Sequence, residues 1–166
     1  MMSPKIGAIG FMISVSFILC AVSTFTKRWI TWSYGGVSFG LGIVPYESNE
    51  PTWFAASSWL MFISFGLFFP LFLAYLHASY KVHHHGCCHG IRHNFSGISL
   101  LCSLIVILEA VAFILMAINA SDLSVTYYRQ YVSATLGYSA YLAIGSAICA
   151  TVAMSLAGHV SRHDCH

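Results

Sequence analysis

The sequence predicts an all-α membrane protein: an antiparallel bundle of four transmembrane helices carrying a small extracellular β-hairpin or sheet. Three observations predict it. Of the 166 residues, 58% are hydrophobic and only 7% are charged, a balance that no water-soluble domain of this size would carry on its surface. Four apolar stretches lie near residues 6–26, 54–78, 97–119 and 133–158. Each can cross a hydrocarbon core of about 30 Å, which takes roughly 20 helical residues at about 1.5 Å apiece. The stretches are apolar on nearly every face, whereas barrel strands would alternate apolar with polar residues, so helices are how this backbone is satisfied in lipid. The whole chain, residues 1–166, reads as one domain.

Taken in order, the first stretch follows Lys5 and ends at Ala21-Val22-Ser23, a small-residue pattern like that of a signal cleavage site. It is longer than an ordinary signal core, so the sequence predicts a retained first helix. In the outer loop 27–53, Trp29, Thr31 and Ser33 alternate with Ile30 and Trp32. The pattern breaks at Gly35-Gly36 and resumes with Val37 and Phe39, which reads as a short hairpin. The second helix contains Pro70, which should kink it unless the freed carbonyl finds another donor. The loop 79–96 contains the run His83–Arg92, with four histidines and two cysteines. The third helix holds one acidic residue, Glu109, near its centre, and the outer loop 120–132 is too short for a domain of its own. In the fourth helix Gly145, Cys149, Ala153 and Ala157 recur every four residues, and Ala143, Ala147, Thr151 and Ser155 form a neighbouring row. Small residues so spaced let helix backbones approach closely in lipid. The sequence therefore predicts a packing or partner face there.

Four crossings put both termini on one side. Lys5, Lys81, Arg92 and Arg162 lie on that side, against Lys27, Arg28 and Arg129 on the other, which favours cytosolic termini, with the plasma membrane as the expected site. Cys87, Cys88 and Cys165 then face a reducing compartment, and the outer loops hold no cysteine, so no structural disulfide is expected. Trp29, Trp32, Tyr34, Tyr46, Trp53, Tyr127, Tyr128 and Tyr131 gather at the outer side, as an interfacial aromatic belt would.

Three stretches carry a family resemblance. "AVSTFTKRWITWS" (21–33) resembles the end of a claudin first helix running into the Trp that opens the outer sheet, here Trp29 or Trp32. "GVSFGLG" (36–42) is similar to the strand holding the family's Gly-Leu pair, here Gly40 and Leu41. "GYSAYLAIGSAICATVAMSLAG" (137–158) resembles the fourth helix. Together they point to the claudin and peripheral-myelin-protein superfamily of four-span proteins, which includes channel auxiliary subunits of the same fold. The chain is a divergent member by this likeness: Gly42 stands where the family has Trp after Gly-Leu, and the outer-loop cysteine pair is missing.

Little in the sequence suggests chemistry. A net charge of +2 offers no basic face for phosphate rows, so nucleic acid is excluded as a partner. Ionised, Glu109 would cost about 2.5 to 3.5 kcal/mol at mid-bilayer, so it should be protonated or hydrogen-bonded to another helix, with Ser57, Ser58 and Ser64 as partners. An interhelical clasp and a proton or ion pathway are the two readings of it. His83, His84, His85, Cys87, Cys88, His89 and His93 could ligate zinc, but there is no Cys-x-x-Cys pair. Adjacent Cys87 and Cys88 at a membrane face fit reversible S-acylation instead, and an unmodified polar loop with its histidines near anionic lipid is the remaining reading. Asn119-Ala120-Ser121 has the glycosylation pattern but sits at a helix end.

The sequence thus predicts a non-enzymatic protein without a cofactor or metal. It would act by lateral association with membrane lipid and with other integral membrane proteins, a channel or receptor, or with itself. The short, cysteine-free outer loop weakens adhesion between cells and favours an auxiliary subunit over a cell-contact protein. A metal-handling or proton-coupled transporter is a third class, disfavoured by the small bundle without internal repeats.

Overall fold

The computed structural model describes residues 4–34, 37–44, 50–85, 89–128 and 134–164, with the backbone alone at 33–34, 37, 85, 89–91, 121–128 and 163–164. Helix α1 spans Pro4–Phe25, α2 Thr52–His85, α3 His89–Tyr128 and α4 Tyr138–His159, and a π-helical segment, Val160–Asp164, continues α4. All four helices are long and apolar enough to cross a membrane. Strands β1 (Ile30–Tyr34), β2 (Val37–Leu41) and β3 (Thr135–Leu136) form an antiparallel sheet in the order β2-β1-β3.

The boundaries differ from those read in the sequence. Helix α2 continues through Pro70 to His85, and α3 begins at His89 and runs to Tyr128, so most of the expected loop 79–96 and part of 120–132 are helical. Polar residues past an apolar run do not end a helix when no breaker intervenes; they only end the portion that suits lipid. At 34 and 40 residues, α2 and α3 are about 51 Å and about 60 Å long and project beyond a core of about 30 Å. The expected start of the fourth helix at 133 is also corrected, because Thr135 and Leu136 pair with Thr31 and Ile30 before the helix begins.

Each helix buries one stripe whose steps alternate between three and four residues. In α1 it runs Ile6, Ile9, Ile13, Ser16, Cys20, Ser23; in α4 it runs Ser139, Ala143, Ser146, Ala150, Ala153, Ala157. In α2 the stripe is Phe54, Ser57, Met61, Ser64, Phe68, Leu71, and in α3 it is Phe95, Ile98, Cys102, Ile105, Glu109, Ala112, Met116. This 3.5-residue repeat is the one that keeps a seam facing its neighbours in a left-handed bundle. Around the bundle α2 packs on α3, α3 on α4 and α4 on α1, with a shorter contact closing α1 on α2.

Ser16 pairs with Ser146, and Ser23 with Ser139, so rising numbers on α1 meet falling numbers on α4 and the two run antiparallel. Toward the end of α1 their seam is made of serine, alanine and cysteine, which suits close backbone approach in lipid, while Ile6, Ile9 and Ile13 fill its other half. The α1–α2 seam is bulkier. Phe17 stacks on Phe65 at 5.4 Å between ring centroids and meets Phe72 edge-on at 5.4 Å. Near its start, Gly10 receives the ring of Tyr75 where a Cβ would stand, and the Tyr75 hydroxyl donates to the Ile6 carbonyl at 3.1 Å.

Candidate functional site

At one level of the bundle each helix contributes one polar side chain: Ser16 from α1, Ser64 from α2, Glu109 from α3 and Ser146 from α4. Glu109 is 1% exposed. Its Oε1 accepts from the Ser146 hydroxyl at 3.0 Å and from the Ser64 hydroxyl at 3.2 Å. The Ser146 hydroxyl also lies 2.9 Å from the Ser16 carbonyl, and the Ser16 hydroxyl donates to the Ser146 carbonyl at 2.9 Å. Ser146 has one hydroxyl hydrogen, so it serves Glu109 or the Ser16 carbonyl at a given moment. Glu109 Oε2 is buried and has no hydrogen-bond partner among the described residues, and the Cys20 thiol of α1 lies beside the carboxyl.

The sequence pointed to Glu109 and offered three serines; the structure selects Ser64. Ser57 and Ser58 donate instead to carbonyls of their own helix, Trp53 and Phe54, both at 2.9 Å. Ser16 and Ser146 escaped the sequence reading. The signal that would have found them is the 3.5-residue stripe, on which both are mid-helix polar residues. The layer binds four helices together. Among the described residues no group of three or more His, Cys, Asp or Glu side chains is arranged to hold a metal ion.

On its outer side Glu109 lines a groove of about 260 Å³ between α3 and α4, together with Ala110, Phe113, Ala143, Ala147 and Thr151. The groove opens toward lipid, since Ile114 and Ile148 beside it are 52% and 59% exposed.

The residues of the small row, expected as a packing or partner face, differ in burial. Ala153 and Ala157 are buried, but Gly145 and Cys149 are only half-buried, and the core stripe passes instead through Ser146 and Ala150. Four residues turn a helix by about 400°, so a strict four-residue row drifts about 40° per step off any one face. Alternating threes and fours cancels that drift.

Trp29 departs from the aromatic belt. It is fully buried, donates through Nε1 to the Ser23 carbonyl at 2.8 Å, and holds β2 and α4 through backbone bonds from Trp29 N to Leu41 O and from Gly137 N to Trp29 O, each 2.8 Å. Trp32 is half-buried and faces Phe39 across the β1–β2 pair at 6.3 Å. Gly40 lies against the Lys27 carbonyl, and Gly42 against the backbone of Thr26 and Lys27, so neither position has room for a side chain as the backbone stands. The Gly at 42, where the family likeness called for Trp, thus has a steric reason. Leu41 pairs with Ile30. Cys87 and Cys88 lie outside the described residues, and Cys20, Cys102 and Cys149 are free.

A comparison with curated proteins gives no match. A family model described as "Tight junction protein, Claudin-like" matches residues 1–166. With the match covering residues 1–166, and with four helices long and apolar enough to cross a membrane and a small sheet beside Trp29 behind it, the chain belongs to the claudin-like tight junction family.

Proposed function

We propose that this protein acts by lateral association in the plasma membrane, with cytosolic termini, as an auxiliary subunit of a channel or receptor and without catalysis. The observation that carries this reading is the lipid-facing groove between α3 and α4. On its α4 wall the small residues Ala143, Ala147 and Thr151 stand between the larger Ile144 and Ile148. The hydroxyls of Thr151 and Ser155 are exposed and bond carbonyls of their own helix at 2.8 and 2.9 Å, so they leave that face open to a neighbour, while Ala143 behind them belongs to the buried seam. A small surface of this kind lets a neighbouring helix approach closely.

The test is Ala147→Leu, which fills the groove from its wall without entering the buried stripe. After gentle extraction, the natural chain should bring down a stoichiometric larger membrane protein. The variant should lose most of that partner while reaching the membrane at an unchanged level. Equal recovery of the partner with both chains would overturn the groove as its seat.

The family description favours a second reading, a cell-contact protein that associates with itself. It predicts that cells made to express the chain aggregate with one another and that extraction yields copies of this chain alone.

A further inference from the structure

Every one of the nine histidines falls within residues 77–93 or 159–166, stretches that contain the end of α2, the start of α3 and the end of α4. Four of the seven Lys and Arg residues, Lys5, Lys81, Arg92 and Arg162, share that end of the bundle, against one acidic residue, Asp164. The opposite end has no histidine at all. Where side chains are described, His77, His83, His84 and His93 are exposed, as are Arg92 and Arg162, while Lys81 is half-buried. Lys5 from α1 and His159 from α4 face the same end and have contacts of their own.

The level of these groups names their ligand. His77 lies at the end of the apolar run of α2, and His84, seven residues on, is about 10 Å farther along the helix. A headgroup layer is about 5 to 7 Å deep, and charges are felt over about 8 Å at physiological salt. The imidazoles therefore sit at or just beyond the phosphates of one leaflet. Tyr80, between them, is 62% exposed with its ring 4.5 Å from that of His84, and an exposed Tyr at this depth is an interfacial anchor. A protonated imidazole donates two N–H groups and attracts phosphate as Arg does, whereas a neutral one does so weakly. Imidazole is also the group whose charge changes between about pH 5 and about pH 8.

We propose that the terminal end of the bundle is a binding face for anionic phospholipid headgroups, held at a basal level by Lys and Arg and more strongly as the exposed histidines protonate. The sign follows from the bound state favouring the charged form, so the hold increases as pH falls. Anionic lipid is concentrated in the cytoplasmic leaflet, which matches the orientation proposed above. The face itself depends on no protein partner, so its test stands apart from that of the groove.

The experiment uses the full chain reconstituted in phosphatidylcholine vesicles containing a minority of phosphatidylserine, with the motionally restricted fraction of spin-labelled phosphatidylserine compared with that of spin-labelled phosphatidylcholine. The expected result is a preference for phosphatidylserine that rises a few-fold as pH is lowered from about 8 to about 5 and weakens with salt. The exposed quadruple variant His77→Gln, His83→Gln, His84→Gln, His93→Gln should keep the preference seen at high pH and lose most of the rise. Repeating the measurement with phosphatidylglycerol, which lacks the serine carboxylate, should give the same rise. An undiminished rise in the variant, a rise abolished by a chelator, or no preference at either pH would overturn the proposal. Full competition by inorganic phosphate would overturn it in favour of a free-phosphate site.

Discussion

Glu109 presents one carboxyl oxygen to hydroxyls from two other helices, while Ser146 has a second acceptor, the Ser16 carbonyl, at 2.9 Å. This redundancy decides what each substitution costs. Glu109→Gln keeps an acceptor at the same place and should unfold in micelles at nearly the natural temperature. Glu109→Leu strands only Ser64, because Ser146 turns to Ser16, so the loss should be about 1 kcal/mol, the scale of one interhelical hydrogen bond in a membrane. A larger fall with Gln than with Leu would count against the clasp. Loss of a measurable proton flux in a well-folded Gln variant would instead make Glu109 part of a pathway. Glycines divide by what blocks them. At Gly10 a Cβ meets the far end of Tyr75, which can swing away at the loss of its bond to Ile6; at Gly137 it meets the backbone of Arg28. Gly137→Ala should therefore lower the thermal midpoint more than Gly10→Ala, and a reversed order would mean that the α4 start yields more easily than the ring.

At the scale of the element, the three-four alternation of buried positions separates residues that look alike in sequence. Ala150 is 2% exposed on the α4 seam, whereas Cys149 beside it is half-buried. Ala150→Leu should cost about 1 to 3 kcal/mol through overpacking, while Cys149→Ala should change the midpoint little; thermal unfolding of the two variants side by side checks it. At Gly145 the nearest neighbour of an added Cβ is Leu19 Cδ1 at 3.4 Å, so Gly145→Ala belongs with the tolerated set. The sequence displayed the small residues of α4 openly, but a four-residue row and the true seam share Ala153 and Ala157. Only the positions of neighbouring helices tell them apart. The ends of α2 and α3 were hidden for a different reason: hydropathy marks where lipid ends, and these helices continue into water.

Across the whole molecule, the sheet is tied to the bundle without a cysteine in residues 27–53 or 120–132. Trp29 fills the junction, its backbone joins β2 and Gly137, the Arg28 carbonyl accepts from Ser139 N at 3.2 Å, and the Ser23 hydroxyl donates to the Ser139 carbonyl at 2.8 Å. These bonds link the start of α4 to the end of α1 where covalent closure is lacking. Orientation remains a proposal of this reading, and it is directly testable. A membrane-impermeant thiol reagent should miss Cys87 and Cys88 in intact cells and reach them after permeabilisation. Labelling in intact cells would invert the molecule and remove the case for acylation. If that case holds, replacing both cysteines by Ser should abolish a hydroxylamine-sensitive acyl label and leave metal content unchanged.

Membrane class, helix number, the hairpin and the presence of one carboxyl within the third helix could all be read from the chain, because they follow from local quantities: run length, alternation, and one acidic residue amid apolar ones. The family likeness was equally local, resting on short stretches around Trp29, Gly40-Leu41 and the fourth helix. What needed the tertiary structure was every relation between helices. Ser16 and Ser146 join Glu109 because α1 and α4 run antiparallel in one register; Trp29 is core because the α1 end, β2 and the α4 start converge on it. Nothing within any one helix encodes which helix faces it. In lipid, where apolar surface is no guide to burial, a sequence shows which residues can leave water but not which of them leave lipid as well.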